Sequence, residues 1–136
     1  MKFWQQTWPT AVIMFCCAAT AENLFEIDKD RWVLIALDAE TRQRGLSTRV
    51  DLGADGMLFA LPAGHRPLFW MKDTRFALTL YGLDRNQCQI SQAQLTPHDT
   101  TLIPIPATAK WALETRPDWK IEPGFCFTRP LPQAID

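Results

Sequence analysis

The sequence predicts a mainly β domain, a small sandwich or barrel, with one short helix. Short apolar segments alternate with turn residues along most of the chain, which is the pattern of an all-β fold. One segment, residues 38–44, has helix signals instead, with Asp38 as its N-cap and Gly45 as its stop. No internal repeat or domain boundary interrupts the pattern, so one domain with one core is expected.

The strands are expected at short apolar runs that turn residues separate. Residues 76–83 are apolar on both faces, which predicts an interior strand that forms a hairpin with residues 88–95 through a turn at 84–87. Residues 103–106 carry two prolines, so they can be extended only at a sheet edge. The remaining predicted strands are residues 32–37, 57–61, 68–71, 110–114 and 125–127, the last of which closes the sheet.

Residues 1–21 are predicted to be a cleaved secretory signal. Lys2 gives the N-terminus a positive charge, and residues 11–19 are an unbroken apolar run. Residues 19–21 (Ala-Thr-Ala) have the small side chains that a signal peptidase recognises at its cleavage site. The run is shorter than the ~20 residues that a membrane-spanning helix needs. The alternatives are an apolar first element of the fold and an uncleaved anchor. Cleavage after Ala21 leaves residues 22–136 as a single β-rich domain without a stable membrane anchor, located in the periplasm or secreted.

Charge and cysteine content agree with an exported domain. Without residues 1–21 the chain has 13 basic and 15 acidic side chains and no basic cluster, which argues against nucleic acid or an anionic membrane as partner. Two of the four cysteines lie in the predicted signal, so Cys88 and Cys126 remain. In an oxidising compartment these two are expected to form a disulfide. The alternative is a pair of buried free thiols.

Four sequence segments, in order, resemble one protein family. They are residues 44–46 (Arg-Gly-Leu), 55–59 (Asp-Gly-Met-Leu-Phe), 69–74 (Phe-Trp-Met-Lys-Asp-Thr) and 112–114 (Ala-Leu-Glu). Together they resemble the domain of unknown function 192 family of small, often exported bacterial proteins, over about residues 34–127. The resemblance implies a mainly β fold of jelly-roll or distorted-barrel type, and it implies no known reaction.

The chain departs from the pattern of that family at three places, as a divergent member does. Ser47 stands where the family usually has Met. Residues 77–79 read Ala-Leu-Thr where the family typically has Pro-Leu-Asp, and Phe125 follows Gly124 where the family has Asp. Any family site that uses these two acids is therefore not expected to be intact in this chain.

Lys72 and Glu114 are the best-placed pair of opposite charges for chemistry. Each follows an apolar strand segment, and a buried Lys near a carboxylate can act as an acid or a base. The alternative is a structural ion pair at the sheet rim. Arg44, at the end of the predicted helix, is expected either to join this pair or to favour the helix dipole.

Aromatic side chains suggest a groove. Trp70, Trp111 and Trp119, with His65 and Tyr81, have flat faces that stack on sugar rings or on apolar peptide side chains. The alternative is core packing, since alternate strand residues point inward. Trp70 is expected to be buried, whereas Trp119, which has charged neighbours on both sides, is the better candidate for an exposed contact.

No cofactor or metal is predicted. The two histidines, His65 and His98, do not belong to a cluster with zinc-ligand spacing. Neither a Gly-rich phosphate loop nor a dinucleotide fingerprint is present. Ser47 or Ser91 could meet a histidine in space, but no nucleophile-elbow pattern supports a catalytic triad.

These observations favour a non-enzymatic module that binds an envelope glycan or an envelope protein. One alternative is an enzyme that acts on an envelope polymer or a small metabolite through a cleft at Lys72 and Glu114. Another is a structural accessory that contacts its partner through an exposed sheet edge. The candidate binding residues are Arg44, His65, Trp70, Lys72, Glu114 and Trp119.

Overall fold

The computed structural model describes residues 24–64 and 67–136. The predicted signal at residues 1–21 and the candidate residue His65 lie outside the described residues, so signal cleavage and a role for His65 stay predictions. Within the described residues, no helix is long and apolar enough to cross a membrane.

The described residues form eight strands and one helix, so the mainly β prediction is confirmed. In chain order they are β1 (Leu24–Asp28), β2 (Arg31–Ala36), α1 (Ala39–Arg44), β3 (Gly56–Ala60), β4 (Leu68–Phe69), β5 (Leu78–Leu83), β6 (Gln89–Leu95), β7 (Ile103–Pro104) and β8 (Trp111–Thr115).

Six strands build one sheet in the order β1-β2-β3-β8-β5-β6. Its neighbouring strands are antiparallel except β2 and β3, which run parallel. The short strands β4 and β7 pair in a separate two-stranded sheet, which agrees with the extended edge segment predicted at residues 103–106. Neither sheet closes on itself in the described residues, so a small sandwich describes the fold and a barrel does not.

Each face of the large sheet has its own apolar layer. Alternate strand residues point to opposite faces, so Met57, Phe59, Leu80 and Ala112 share one face, called the first face below. The loop after α1 and the two-stranded sheet cover it. The second face, with Leu58 and its neighbours, packs against the C-terminal segment. Because both faces of the sheet are covered, every residue of β3, β5 and β8 is buried. This is typical of strands that have other elements packed on both sides.

The predicted helix is confirmed together with its signals. The Asp38 side chain accepts a hydrogen bond from the Thr41 N–H at 2.8 Å and so caps the first turn. Gly45 ends the helix with a φ of 51° and donates its N–H to the Thr41 carbonyl at 2.9 Å. Glycine accepts this left-handed backbone conformation without the strain that a Cβ would add.

The disulfide between Cys88 and Cys126 is also confirmed. It joins the start of the β5–β6 hairpin's return strand to the C-terminal segment that covers the second face. The strand predicted at residues 125–127 is wrong, since this segment makes only one isolated bridge, at the two cysteines. Two backbone hydrogen bonds flank this bridge, from the Gln89 N–H to the Phe125 carbonyl at 2.8 Å and from the Phe127 N–H to the Gln87 carbonyl at 3.0 Å, so the pairing is antiparallel but too short to form a strand.

The edge strand β1 is absent from the sequence prediction. It pairs antiparallel with β2 through a turn in which Asp30 adopts a φ of 57°. Ile27 is its one fully buried residue, so β1 lacks the apolar run that marks the interior strands. Its place in the sheet follows from pairing with β2, which a single segment does not reveal.

Candidate ligand-binding cavity

A cavity of about 350 Å³ opens on the first face, beside α1. Its walls come from the end of α1 and the loop after it, from β3, and from the segment that includes β4. The apolar lining side chains include Leu46, Phe59, Leu61, Leu68, Phe69 and Trp70. This size, with a lining in which apolar and polar surface are about equal, is within the range of small-molecule sites, which occupy roughly 300–1,000 Å³.

Glu114 lies in this cavity, on the central strand β8. It pairs with Met57 on β3 and Leu80 on β5, so its side chain belongs to the apolar first face. Only 5% of its surface is exposed. The approach of β3 depends on Gly56, because a Cβ there would overlap the backbone carbonyl of Glu114. The strand register therefore places a carboxyl group where an apolar side chain would be the ordinary choice.

The Glu114 carboxyl has no hydrogen bond or ion pair with any described residue. Burial is the one cause that acts on it, and burial raises the pKa of Glu114 to about 8. Among the described residues, no side-chain nitrogen or oxygen is both sealed from solvent and without a partner. The unpartnered Glu114 oxygens are therefore reached through the cavity. At pH 7 the carboxyl is mostly neutral, so it can both donate and accept a hydrogen bond.

Three aromatic rings surround the cavity. Phe59 and Phe69 meet edge to face, with ring centroids 5.4 Å apart. Trp70 is 46% exposed, and the Nζ atom of Lys72 lies 5.3 Å from the centroid of its ring. This distance is typical of a cation–π contact. Trp70 therefore gives the cavity an aromatic surface that a ligand can reach.

Two hydrogen bonds join the segments around the cavity. The Ser47 hydroxyl donates to the Lys72 carbonyl at 3.1 Å, and the Thr48 N–H donates to the Asp73 carbonyl at 2.8 Å. They fix the loop after α1 to the turn after β4. Arg44 therefore lies on one of two connected segments, and Lys72 on the other.

Arg42 supports the cavity wall. Its guanidinium donates to the backbone carbonyls of Leu37 and Ala60, both at 3.0 Å, and to the Asp136 carboxylate at 2.5 Å. The guanidinium lowers the pKa of Asp136 through this hydrogen bond. Arg42 thus has a structural role. Among the described residues, the one ion-pair partner of Arg44 is the exposed Glu40, at 3.7 Å.

The structure corrects three expectations about the candidate residues. Lys72 and Glu114 do not form an ion pair, because Lys72 is exposed above Trp70 and Glu114 is buried. Trp70 was expected to be buried, and it is exposed. Trp119 was expected to be exposed, and it is only 8% exposed, with its ring against Phe127 on the second face.

The other two proposed groove aromatics also belong to the core. Trp111 is buried and donates its indole N–H to the Pro132 carbonyl at 2.8 Å. The Tyr81 hydroxyl accepts the Ile121 N–H at 3.1 Å. Both side chains serve to hold the C-terminal segment on the second face, away from the cavity. His98 is exposed and does not line the cavity.

The four segments that carry the family resemblance converge on the cavity. Residues 44–46 line it together with Phe59, and the third and fourth segments contribute Phe69, Trp70, Thr74 and Glu114. Sequence reasoning singled out Arg44, Trp70 and Glu114 but missed Phe59, Phe69 and Thr74. Their presence within these segments was the one available signal, since nothing in the sequence alone brings them together.

The family profile described as "Uncharacterized ACR", domain of unknown function 192, matches residues 24–125, well over half of the chain. The chain belongs to the domain of unknown function 192 family. No curated protein is significantly similar to it. This match confirms the resemblance found in the sequence, and the description of the family assigns no reaction to it.

Two solved structures are similar to the chain. One, a protein of unknown function from Novosphingobium aromaticivorans, is 23% identical with a TM-score of 0.56, and the match covers 63% of this chain and 64% of that one. The other, described as a putative transcription regulator from Sinorhizobium meliloti, is 25% identical with a TM-score of 0.58, and the match covers 63% and 68%. The chain thus spans less than two thirds of the Novosphingobium protein, and that likeness shows the fold alone.

Proposed function

We propose that this protein is a non-enzymatic binding module for an envelope glycan, and that one end of the glycan occupies the cavity at Glu114. The observation that carries the proposal is the buried Glu114 carboxyl, which faces an open cavity and has no hydrogen bond or ion pair with any described residue. A buried polar group without a partner lowers stability. Ligand binding would give this group the hydrogen bond that no described residue provides.

The lining of the cavity supports a sugar. A sugar ring has hydroxyl groups at its edge and apolar C–H groups on its faces. The hydroxyls suit the Glu114 carboxyl and the nearby Thr74 hydroxyl, and the apolar faces suit the exposed Trp70 ring. A concave site of this volume favours a small ligand over the broad surface of a protein partner.

Export supports the choice of an envelope glycan. The Cys88–Cys126 disulfide is compatible with an oxidising compartment outside the cytoplasm. The predicted signal at residues 1–21 would deliver the chain to the same compartment.

The proposal is tested by calorimetric titration of the protein with glucose, N-acetylglucosamine and their β-linked disaccharides. Trp70→Ala is expected to weaken binding about tenfold, in line with the loss of ~1.4 kcal/mol of ring stacking. Trp32→Ala is the matched control, because Trp32 is also 46% exposed but does not line the cavity. Glu114→Leu is expected to weaken binding further, provided that its melting curve shows a folded protein.

The absence of heat with every sugar would contradict the proposal. An equal loss of affinity in Trp32→Ala and Trp70→Ala would contradict it too, because the sugar would then not sit at the cavity.

One observation favours an enzyme as the second candidate. A carboxyl whose pKa burial raises to about 8 can serve as a general acid near neutral pH. Most glycoside hydrolases need a second carboxyl within ~10 Å, and Glu114 is the one carboxyl among the described lining residues. Release of reducing ends from oligosaccharides, lost in Glu114→Gln with binding retained, would favour the enzyme over the binding module.

A further inference from the structure

We propose, resting on the proposed binding function, that the glycan end is acidic, with its carboxylate or phosphate group held by Arg44 and Lys72 while its hydroxyls reach Glu114. The inference concerns the charge of the ligand, which the apolar walls and the Glu114 carboxyl leave open.

The first argument is the charge of the cavity lining. The described lining residues include two cations and one acid: Arg42, whose charge is paired with Asp136, Arg44, and Glu114. Because burial raises the pKa of Glu114 to about 8, this acid is mostly neutral at pH 7. Arg44 therefore gives the described lining an excess of positive charge, in a chain whose net charge is −1. A positive, partly apolar cavity attracts anionic ligands and disfavours cationic ones.

The second argument is that the Arg44 guanidinium is available to bind a ligand. Arg42 already donates to two carbonyls and to Asp136, but the one partner of Arg44 among the described residues is Glu40, 3.7 Å away and 88% exposed. An exposed ion pair of this kind contributes little and is readily exchanged. A guanidinium can bind a carboxylate or phosphate through two parallel hydrogen bonds.

The third argument is the position of Lys72. Its ammonium group lies over the Trp70 ring and has no ion pair with any described acid. The two hydrogen bonds that join the loop after α1 to the turn after β4 keep the Arg44 and Lys72 segments together. A sugar stacked on Trp70 would thus lie near Lys72, whose ammonium is 5.3 Å from that ring, and in the same cavity that Arg44 lines.

The test compares glucose with glucuronate, which differ only in that a carboxylate replaces the hydroxymethyl group, and includes glucose 6-phosphate. By calorimetry, glucuronate is expected to bind at least tenfold more tightly than glucose at low salt. The preference is expected to shrink in 0.5 M salt, since salt screens exposed charges. The glucose 6-phosphate arm shows which anionic group is preferred.

Charge-removing variants assign the preference to its residues. In Arg44→Gln and in Lys72→Gln the ratio of glucuronate to glucose affinity is expected to fall severalfold, and in the double variant to about one. Arg85→Gln is the matched control, because Arg85 is an exposed cation in the β5–β6 turn and does not line the cavity. This control is expected to keep the ratio of the unmodified protein.

The outcomes separate the two proposals. Equal affinity for glucose and glucuronate would overturn the acidic ligand and leave the binding module standing. A preference that survives in the double variant would also overturn it, because the charge would then act from elsewhere. Failure of these three sugars, and of the N-acetylglucosamine and disaccharides of the first test, to bind would overturn both.

Discussion

Replacing Glu114 with Gln is expected to stabilise the protein at neutral pH and to change its stability little at pH 5. Glutamine has nearly the same shape and hydrogen-bonding groups as the protonated carboxyl, but it cannot ionise. The variant therefore isolates the cost of keeping an ionisable group at a buried position where no described residue pairs with it.

The magnitude follows from the difference in pKa between the folded and unfolded protein. Above pH 4.5 the Glu114 carboxyl ionises in the unfolded chain, whereas in the folded protein it stays protonated until about pH 8. The folded state thus loses stability relative to the unfolded state as pH rises from 4.5 to about 8. One pKa unit corresponds to ~1.4 kcal/mol, which gives a total loss of ~5 kcal/mol, of which ~3 kcal/mol has occurred by pH 7.

The assay is urea denaturation of both proteins at pH 5, 6, 7 and 8, read as the difference in unfolding free energy at each pH. Four acids near the surface have a pKa lowered chiefly by hydrogen bonds; they are the partly buried Glu26 and Asp38 and the exposed Asp99 and Asp136. They affect stability at lower pH with the opposite sign. Because both proteins contain them, their effect cancels in the difference.

The expected difference grows from less than ~1 kcal/mol at pH 5 to ~3 kcal/mol at pH 7 in favour of the Gln variant. A difference that stays constant between pH 5 and pH 8 would refute the reasoning. It would mean that the folded protein holds Glu114 ionised, with a partner that compensates for burial.

Three further predictions concern the fold. Trp119→Ala is expected to lose ~3–5 kcal/mol of unfolding free energy as a large core truncation, and Trp70→Ala less than ~1 kcal/mol as a surface change. Similar losses in urea denaturation would contradict the assigned burial of the two rings. Gly56→Ala is expected to cost ~1–3 kcal/mol, because the new methyl group overlaps a carbonyl of the adjacent strand; an unchanged melting temperature would show that the strands can separate freely. Changing Cys88 and Cys126 to Ser opens a loop with a sequence separation of 38 and is expected to cost ~4 kcal/mol. Intact mass with and without reductant first verifies the disulfide, and free thiols in the native protein would exclude it.

Sequence reasoning about the site succeeded for single residues and failed for their relationships. Glu114 and Lys72 were both identified because each follows an apolar strand segment, but the pairing between them was wrong. Register decides which face a strand residue occupies, and β8 places Glu114 on the buried first face. Lys72 lies in the turn after β4 and reaches outward over Trp70 instead.

The burial predictions for Trp119 and Trp70 were wrong for a similar reason. The neighbours of Trp119 are charged, which favours exposure locally, yet the C-terminal segment crosses the second face and carries the ring into the core. Trp70 lies in an apolar stretch, which favours burial, yet β4 is only two residues long and the chain leaves it beside the open cavity. Local composition cannot report which surface a segment will cover.

The amino-acid sequence by itself determined the features that depend on neighbouring residues. These are the interior strands, the helix with its Asp38 cap and Gly45 stop, the disulfide between Cys88 and Cys126, and the family resemblance. The tertiary structure alone decided that β1 completes an edge, that Glu114 is buried without a partner among the described residues and that the four family segments share a cavity. Each of those depends on strand pairing between distant segments and on the packing of loops over a sheet face, which no short stretch of chain specifies.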